Sequence, residues 1–132
     1  MDQELRQLRE IIRQKSLRTG EFILSSGKKS SYYLDCRMTT LNPAGALLIG
    51  RLILQRIREN KIQADAIGGL TLGADPIVTA VAVVSALEGD PLPAFIVRKE
   101  TKGHGAQRAI EGYDGKRGAR VIVVDEIGRA HV

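Results

Sequence analysis

The sequence predicts an α/β fold, an open parallel sheet flanked by helices, and three observations carry that prediction. Short apolar, β-branched runs at 64–68, 94–97 and 120–124 alternate with helical patterns at 42–59 and 77–87. That alternation favours parallel strands joined by right-handed crossovers. The stretch A-D-A-I-G-G-L-T-L-G-A-D-P (64–76) reads as strand, glycine-rich turn and helix start. The stretch F-I-V-R-K-E-T-K-G-H-G (95–105) leaves an apolar strand abruptly for cations and glycines. In open α/β sheets such strand-to-loop junctions lie at the carboxyl edge, where ligands bind.

Taken in order, residues 2–15 place Leu5, Leu8, Ile11 and Ile12 at spacings of three and four, which gives one apolar stripe on a surface helix. Gly20 and Gly27 then punctuate β-prone runs at 22–24 and 32–34, which predicts a hairpin. Tyr32 and Tyr33 read as core or rim aromatics, or as rings that stack on a flat ligand. Asn42-Pro43 is a helix start, with Asn as N-cap and Pro at the first helical position. The helix should run to about Glu59 with Leu47, Leu48, Leu52, Ile53 and Ile57 inward, and Asn60 and Lys61 suit its end. A strand at 64–68 leads through the glycine turn to a helix over 77–87, capped by Asp75 with Pro76 at its start. Amides at such a turn can cradle phosphate, or Gly68 and Gly69 can simply allow close helix–strand packing. After the turn E-G-D-P and the strand 94–97, residues 100–117 are charged, glycine-rich and without helical period, the mark of a long functional loop. The strand 120–124 ends in Asp125-Glu126.

Bulk properties narrow the function classes. A length of 132 residues bounds the chain to one domain, and 43% hydrophobic with 27% charged residues is ordinary for a globular protein. A net charge of +5 invites an anionic partner. Aromatic content of 4% with no Trp leaves no basic–aromatic interleaving for stacking bases, so nucleic acid is not the expected partner. Cys36 stands alone, which excludes a disulfide framework and fits a reducing cytoplasm. The apolar run 77–87 is too short to span a bilayer, and no membrane role is expected.

The basic stretch carries the chemistry. Arg98, Lys99, Lys102 and His104 repel one another unless an anion visits; the blander reading is a solvated basic loop. A phosphate ester or pyrophosphate suits the set, because Arg offers a planar fork and Lys a mobile point charge.

At this point the residues match a family. Phe22, S-G-K (26–28), Tyr32, Tyr33 and Asp35, then G-G-L-T-L-G-A-D-P, V-R-K-E-T-K-G-H-G and V-I-V-V-D-E, together resemble orotate phosphoribosyltransferases over most of 17–125. The R-K-x-x-K-x-H-G element is the most specific. The resemblance implies a type I phosphoribosyltransferase fold, with the N-terminal helix and hairpin (1–40) contributing to a hood and 41–125 to the α/β core. It implies transfer of the phosphoribosyl group of phosphoribosyl pyrophosphate to orotate, with Mg²⁺, in pyrimidine synthesis. It assigns Arg98, Lys99, Lys102 and His104 to a loop that closes over pyrophosphate, partly across a homodimer interface. It gives Asp125 and Glu126 to the ribose hydroxyls, with Lys102 and Asp125 as the catalytic pair, and sets Tyr32 and Tyr33 on the orotate side. A solvated strand-end acid is the plainer reading of Asp125.

Departures from the pattern are Ser25, where many members carry Lys, and the absence of Lys from the turn 69–75. Family members also follow the acid pair with a threonine- and glycine-rich phosphate turn, which E-I-G-R-A-H-V does not supply. One reverse translation of 126–132, GAG-ATC-GGA-AGA-GCA-CAC-GTC, resembles a short-read sequencing adapter. The expectation is therefore a partial domain over 1–125 and a non-native tail over 126–132, with Glu126 ambiguous between the two. The 132-residue polypeptide is expected to be poorly soluble and inactive by itself. Two further readings stand beside the enzyme: a non-catalytic nucleotide-binding regulator and a purine phosphoribosyltransferase.

Overall fold

The computed structural model describes residues 2–99 and 109–126. Helix α1 (Asp2–Ile11) passes into one π-helical turn (Ile12–Ser16), and strands β1 (Leu17–Ile23) and β2 (Lys29–Leu34) form a separate antiparallel hairpin. The single turn α2 (Arg37–Thr40) leads into α3 (Pro43–Glu59). There follow β3 (Ala66–Leu70), α4 (Asp75–Leu87), β4 (Ala94–Val97), β5 (Ile110–Glu111) and β6 (Val121–Val123). The second sheet has the strand order β5-β4-β3-β6.

The parallel core is where the sequence puts it. β3 pairs in parallel with β4 on one side and with β6 on the other. The sheet as a whole is mixed, because β5 runs antiparallel to β4 with Val97 opposite Ile110 and Ile96 opposite Glu111. Two residues are too few for an alternating pattern to register, so β5 reads as loop in the sequence.

Strand alternation sorts the side chains of the sheet into two faces. Ile67 with partly buried Ala94, Ile96, Ile122 and Val124 meets Leu54 and Ile57 of α3 and Val78, Val81 and Val84 of α4. The opposite face carries Phe95, whose ring lies where a side chain of Gly68 would stand: a Cβ there would be 2.3 Å from the ring. Gly69 is equally constrained, since its Cβ would meet the Val124 carbonyl at 2.1 Å and the Ala74 Cβ at 2.7 Å. Close packing therefore accounts for both glycines.

Local signals held unevenly. Asn42 caps α3, its Oδ1 accepting from the Gly45 amide at 3.0 Å, with Pro43 at the first helical position as expected. Leu47 is a correction: it faces solvent, while Leu54 takes the buried place on α3. The cap of α4 is another. Asp75 is the first helical residue, and its carboxylate accepts from Thr71 Oγ1 at 2.6 Å instead of capping an amide. The preceding turn brings Thr71 within reach, and that short bond holds the side chain. In the hairpin, Gly27 adopts a φ of 83°, the left-handed geometry its turn requires. Asp35 N donates to Ser16 O at 3.0 Å, tying the hairpin exit to the end of the N-terminal helix.

Candidate functional site at the carboxyl edge of the sheet

Because β4, β3 and β6 are parallel neighbours, their carboxyl ends lie side by side. Arg98 and Lys99 leave β4, the turn 71–74 leaves β3, and Asp125 and Glu126 follow β6. The first and last groups are two strand spacings apart, roughly 10 Å. Cations thus stand on one flank of a glycine turn and carboxylates on the other. Lys102 and His104, and the tail from 127 onward, lie outside the described residues.

The turn is anchored at both sides. Thr71 N donates to Val97 O at 2.9 Å, and Val124 N donates to Gly68 O at 2.8 Å. Ala74 N and Asp75 N are taken by Leu70 O and Leu72 O, at 3.1 and 3.2 Å. Asp75 Oδ1 is buried without a hydrogen-bond partner among the described residues.

The two acids differ in setting. Asp125 is exposed, and its Oδ1 accepts from the Glu126 amide at 2.7 Å. Glu126 is 4% exposed and packs against the turn, where a Cβ on Gly73 would sit 3.2 Å from its own Cβ. Arg37, beyond the hairpin, also bears on this corner. Its guanidinium is held more basic than usual by the Asp35 carboxylate it donates to at 3.2 Å, with smaller contributions from Tyr33 and Glu126. Sequence reading passed over Arg37, and only its spacing two residues from Asp35 marks it.

Tyr32 and Tyr33 are placed on the hairpin rather than on the sheet, 58% and 37% exposed. Tyr33 leans on Phe22 with ring centroids 5.8 Å apart. They are rim aromatics, not core. Arg98 is tied to a residue that no sequence signal marks: its Nη2 donates to Glu111 Oε2 at 2.9 Å. Among the described residues no group of three or more His, Cys, Asp or Glu is gathered for a metal, and no helix is long and apolar enough to cross a membrane. A separate apolar groove of about 580 Å³ lies between α3 and α4, lined by Leu41, Leu47, Val83 and Leu87 among others.

Comparison with known proteins gives one consistent picture. No family model matches the chain. An orotate phosphoribosyltransferase of Nostoc sp. is 49% identical over 122 residues, covering 92% of this chain and 58% of the relative. One from Thermosynechococcus vestitus is 46% identical over 131 residues, covering 96% of this chain and 68% of the relative. Among solved structures, Mycobacterium tuberculosis orotate phosphoribosyltransferase in complex with Fe(III) dicitrate superposes with a TM-score of 0.78 at 42% identity, over 92% of this chain and 66% of that one. The same enzyme in complex with 5-phospho-α-D-ribosyl 1-diphosphate gives a TM-score of 0.68 at 32% identity, over 93% of this chain and 58% of that one. The chain thus spans roughly half to two thirds of the length of the curated relatives it matches.

Proposed function

The chain belongs to the orotate phosphoribosyltransferase family, and we propose that its protein transfers the phosphoribosyl group of phosphoribosyl pyrophosphate to orotate, yielding orotidine 5′-monophosphate and pyrophosphate. The observation that carries this reading is the sheet edge itself: Arg98 and Lys99 leave β4 beside the glycine turn, with Asp125 and Glu126 on its other side.

The chemistry suits those residues. Displacement at the ribose C1 builds positive charge on the sugar ring and negative charge on the departing pyrophosphate. Fixed donors aimed at that developing charge stabilise the transition state, and excluding water protects it. In this reading Arg98, Lys99, Lys102 and His104 take the pyrophosphate oxygens, and Lys102 contributes most as the bond breaks. Asp125, exposed at the strand end, accepts from a ribose hydroxyl and offsets charge on the ring. Glu126 backs it from a buried position against Gly73. Tyr32 and Tyr33, exposed on the hairpin, stand on the orotate side as faces for a planar base.

Mg²⁺ fits this donor set. The ion takes one or two carboxylates plus substrate phosphate oxygens rather than an all-protein cage, so Asp125 and the substrate's own diphosphate would hold it. When bound, it neutralises diphosphate charge.

The protein works as a homodimer in this reading, supported by the apolar groove between α3 and α4, whose Leu41 and Leu87 are 70% and 79% exposed. A cytoplasmic setting is supported by a cysteine count of one, which provides no disulfide framework. The test is a competition assay on a full-length protein carrying this sequence, with orotate, hypoxanthine and uracil offered together. Orotate should be consumed in preference to both other bases. Preference for hypoxanthine would make the protein a purine transferase, and consumption of none would leave a binding protein.

A further inference from the structure

Of the two described cations after β4, Arg98 has a fixed partner. Its Nη2 donates to Glu111 Oε2 at 2.9 Å, and its backbone N donates to Ala109 O at 2.7 Å. Register explains why the pair can form. Glu111 stands opposite Ile96 on β5, and Arg98 follows Ile96 by two residues, so both side chains belong to one face and meet as diagonal neighbours. The pair is partly shielded, with the side chains 29% and 37% exposed. It uses only part of the guanidinium: Arg98 Nε is buried with no hydrogen-bond partner among the described residues.

We propose that Glu111 is a positioning residue for Arg98, its carboxylate holding the guanidinium in one orientation at the end of β4 with donors left over for diphosphate oxygens. The inference rests on the reading of Arg98 as a diphosphate contact. Arg carries large rotamer freedom that an anion would otherwise have to quench on binding, and a partner that quenches it beforehand raises affinity. A carboxylate beside an anion site also repels the anion. Glu111 therefore helps binding only through orientation, which separates the two effects experimentally.

The test is a double-mutant cycle in a full-length protein carrying this sequence. Donor affinity is read by calorimetry with Mg²⁺ phosphoribosyl pyrophosphate, alongside steady-state kinetics and thermal midpoints. Glu111→Ala should raise Kd and KM for the donor roughly tenfold with kcat nearly unchanged, and Glu111→Gln, which keeps an acceptor, only about threefold. In an Arg98→Ala background both losses should vanish. Equal losses in the two backgrounds would make Glu111 merely structural and overturn the inference, as would unchanged or tighter binding in the single variants. Should Glu111→Ala not fold, the Glu111→Gln arm of the cycle decides by the same criterion. Arg98→Ala is read by itself as well. A loss there without an effect at Glu111 sinks only the positioning role, whereas no loss at Arg98 removes the diphosphate contact and the inference together.

Discussion

Lys102 is the residue on which the proposed chemistry leans most. A donor that meets charge only as the leaving group departs is worth about 2.7–4 kcal/mol. Lys102→Ala should therefore lower kcat by roughly 10²–10³ while KM for the donor changes far less. Equal effects on kcat and KM in steady-state assays would show a plain binding lysine instead. Gly69 makes a contrasting case, because its constraint is steric. Gly69→Ala drives a Cβ toward the Val124 carbonyl and Ala74, and both belong to fixed elements. The cost should be about 1–3 kcal/mol or more, visible in chemical denaturation. Single-residue roles were legible where one residue type has one use. Asn42 before Pro43 could only be a cap, and it is one. Asp75 before Pro76 looked the same, yet Thr71 claims its carboxylate, a contact fixed by the shape of the turn rather than by spacing.

At the scale of elements, the strands β3 and β4 and the helices α3 and α4 were legible because burial imposes period on their sequences. β5 was not: two residues carry no period, and its pairing with β4 is set by the chain returning after the basic stretch. The Arg98–Glu111 contact follows from that pairing, so it was invisible for the same reason. Leu47 fell on the wrong side because α3 is apolar around much of its circumference, with Leu54 taking the inward place. The helix α1 offers a pH test. Arg13 and, more weakly, Gln14 hydrogen-bond the Glu10 carboxylate and hold its pKa down to about 2, from the usual 4.5. A depressed carboxylate contributes stability above its unfolded pKa and loses it as pH falls through the folded one. Any contribution to α1 should thus be intact above pH 4.5 and fade toward pH 2. The group is on the surface, so added salt should weaken the effect. Carboxyl titration by NMR checks it: an ordinary Glu10 midpoint at low salt would remove the interaction.

For the molecule as a whole, the parallel order β4-β3-β6 is what gathers cations, glycine turn and acids on one edge. That gathering was readable from sequence, because each strand could be recognised separately and parallel pairing aligns their ends. The exposed apolar groove was not readable, since it is made by two helices that meet only in the fold. If a second copy covers it, Leu87→Glu with Val83→Glu should turn a dimer into a monomer in light scattering, with the fold kept by circular dichroism. A wild-type monomer at micromolar concentration would remove the dimer from the account. The role proposed for this edge is to neutralise a diphosphate as it leaves a sugar carbon. Its most direct measurement is pyrophosphate release from phosphoribosyl pyrophosphate by a full-length protein carrying this sequence, with Mg²⁺, in the presence and absence of orotate. Release should depend on orotate and be matched one for one by orotidine 5′-monophosphate; release indifferent to orotate, or none from folded protein, would rule that role out.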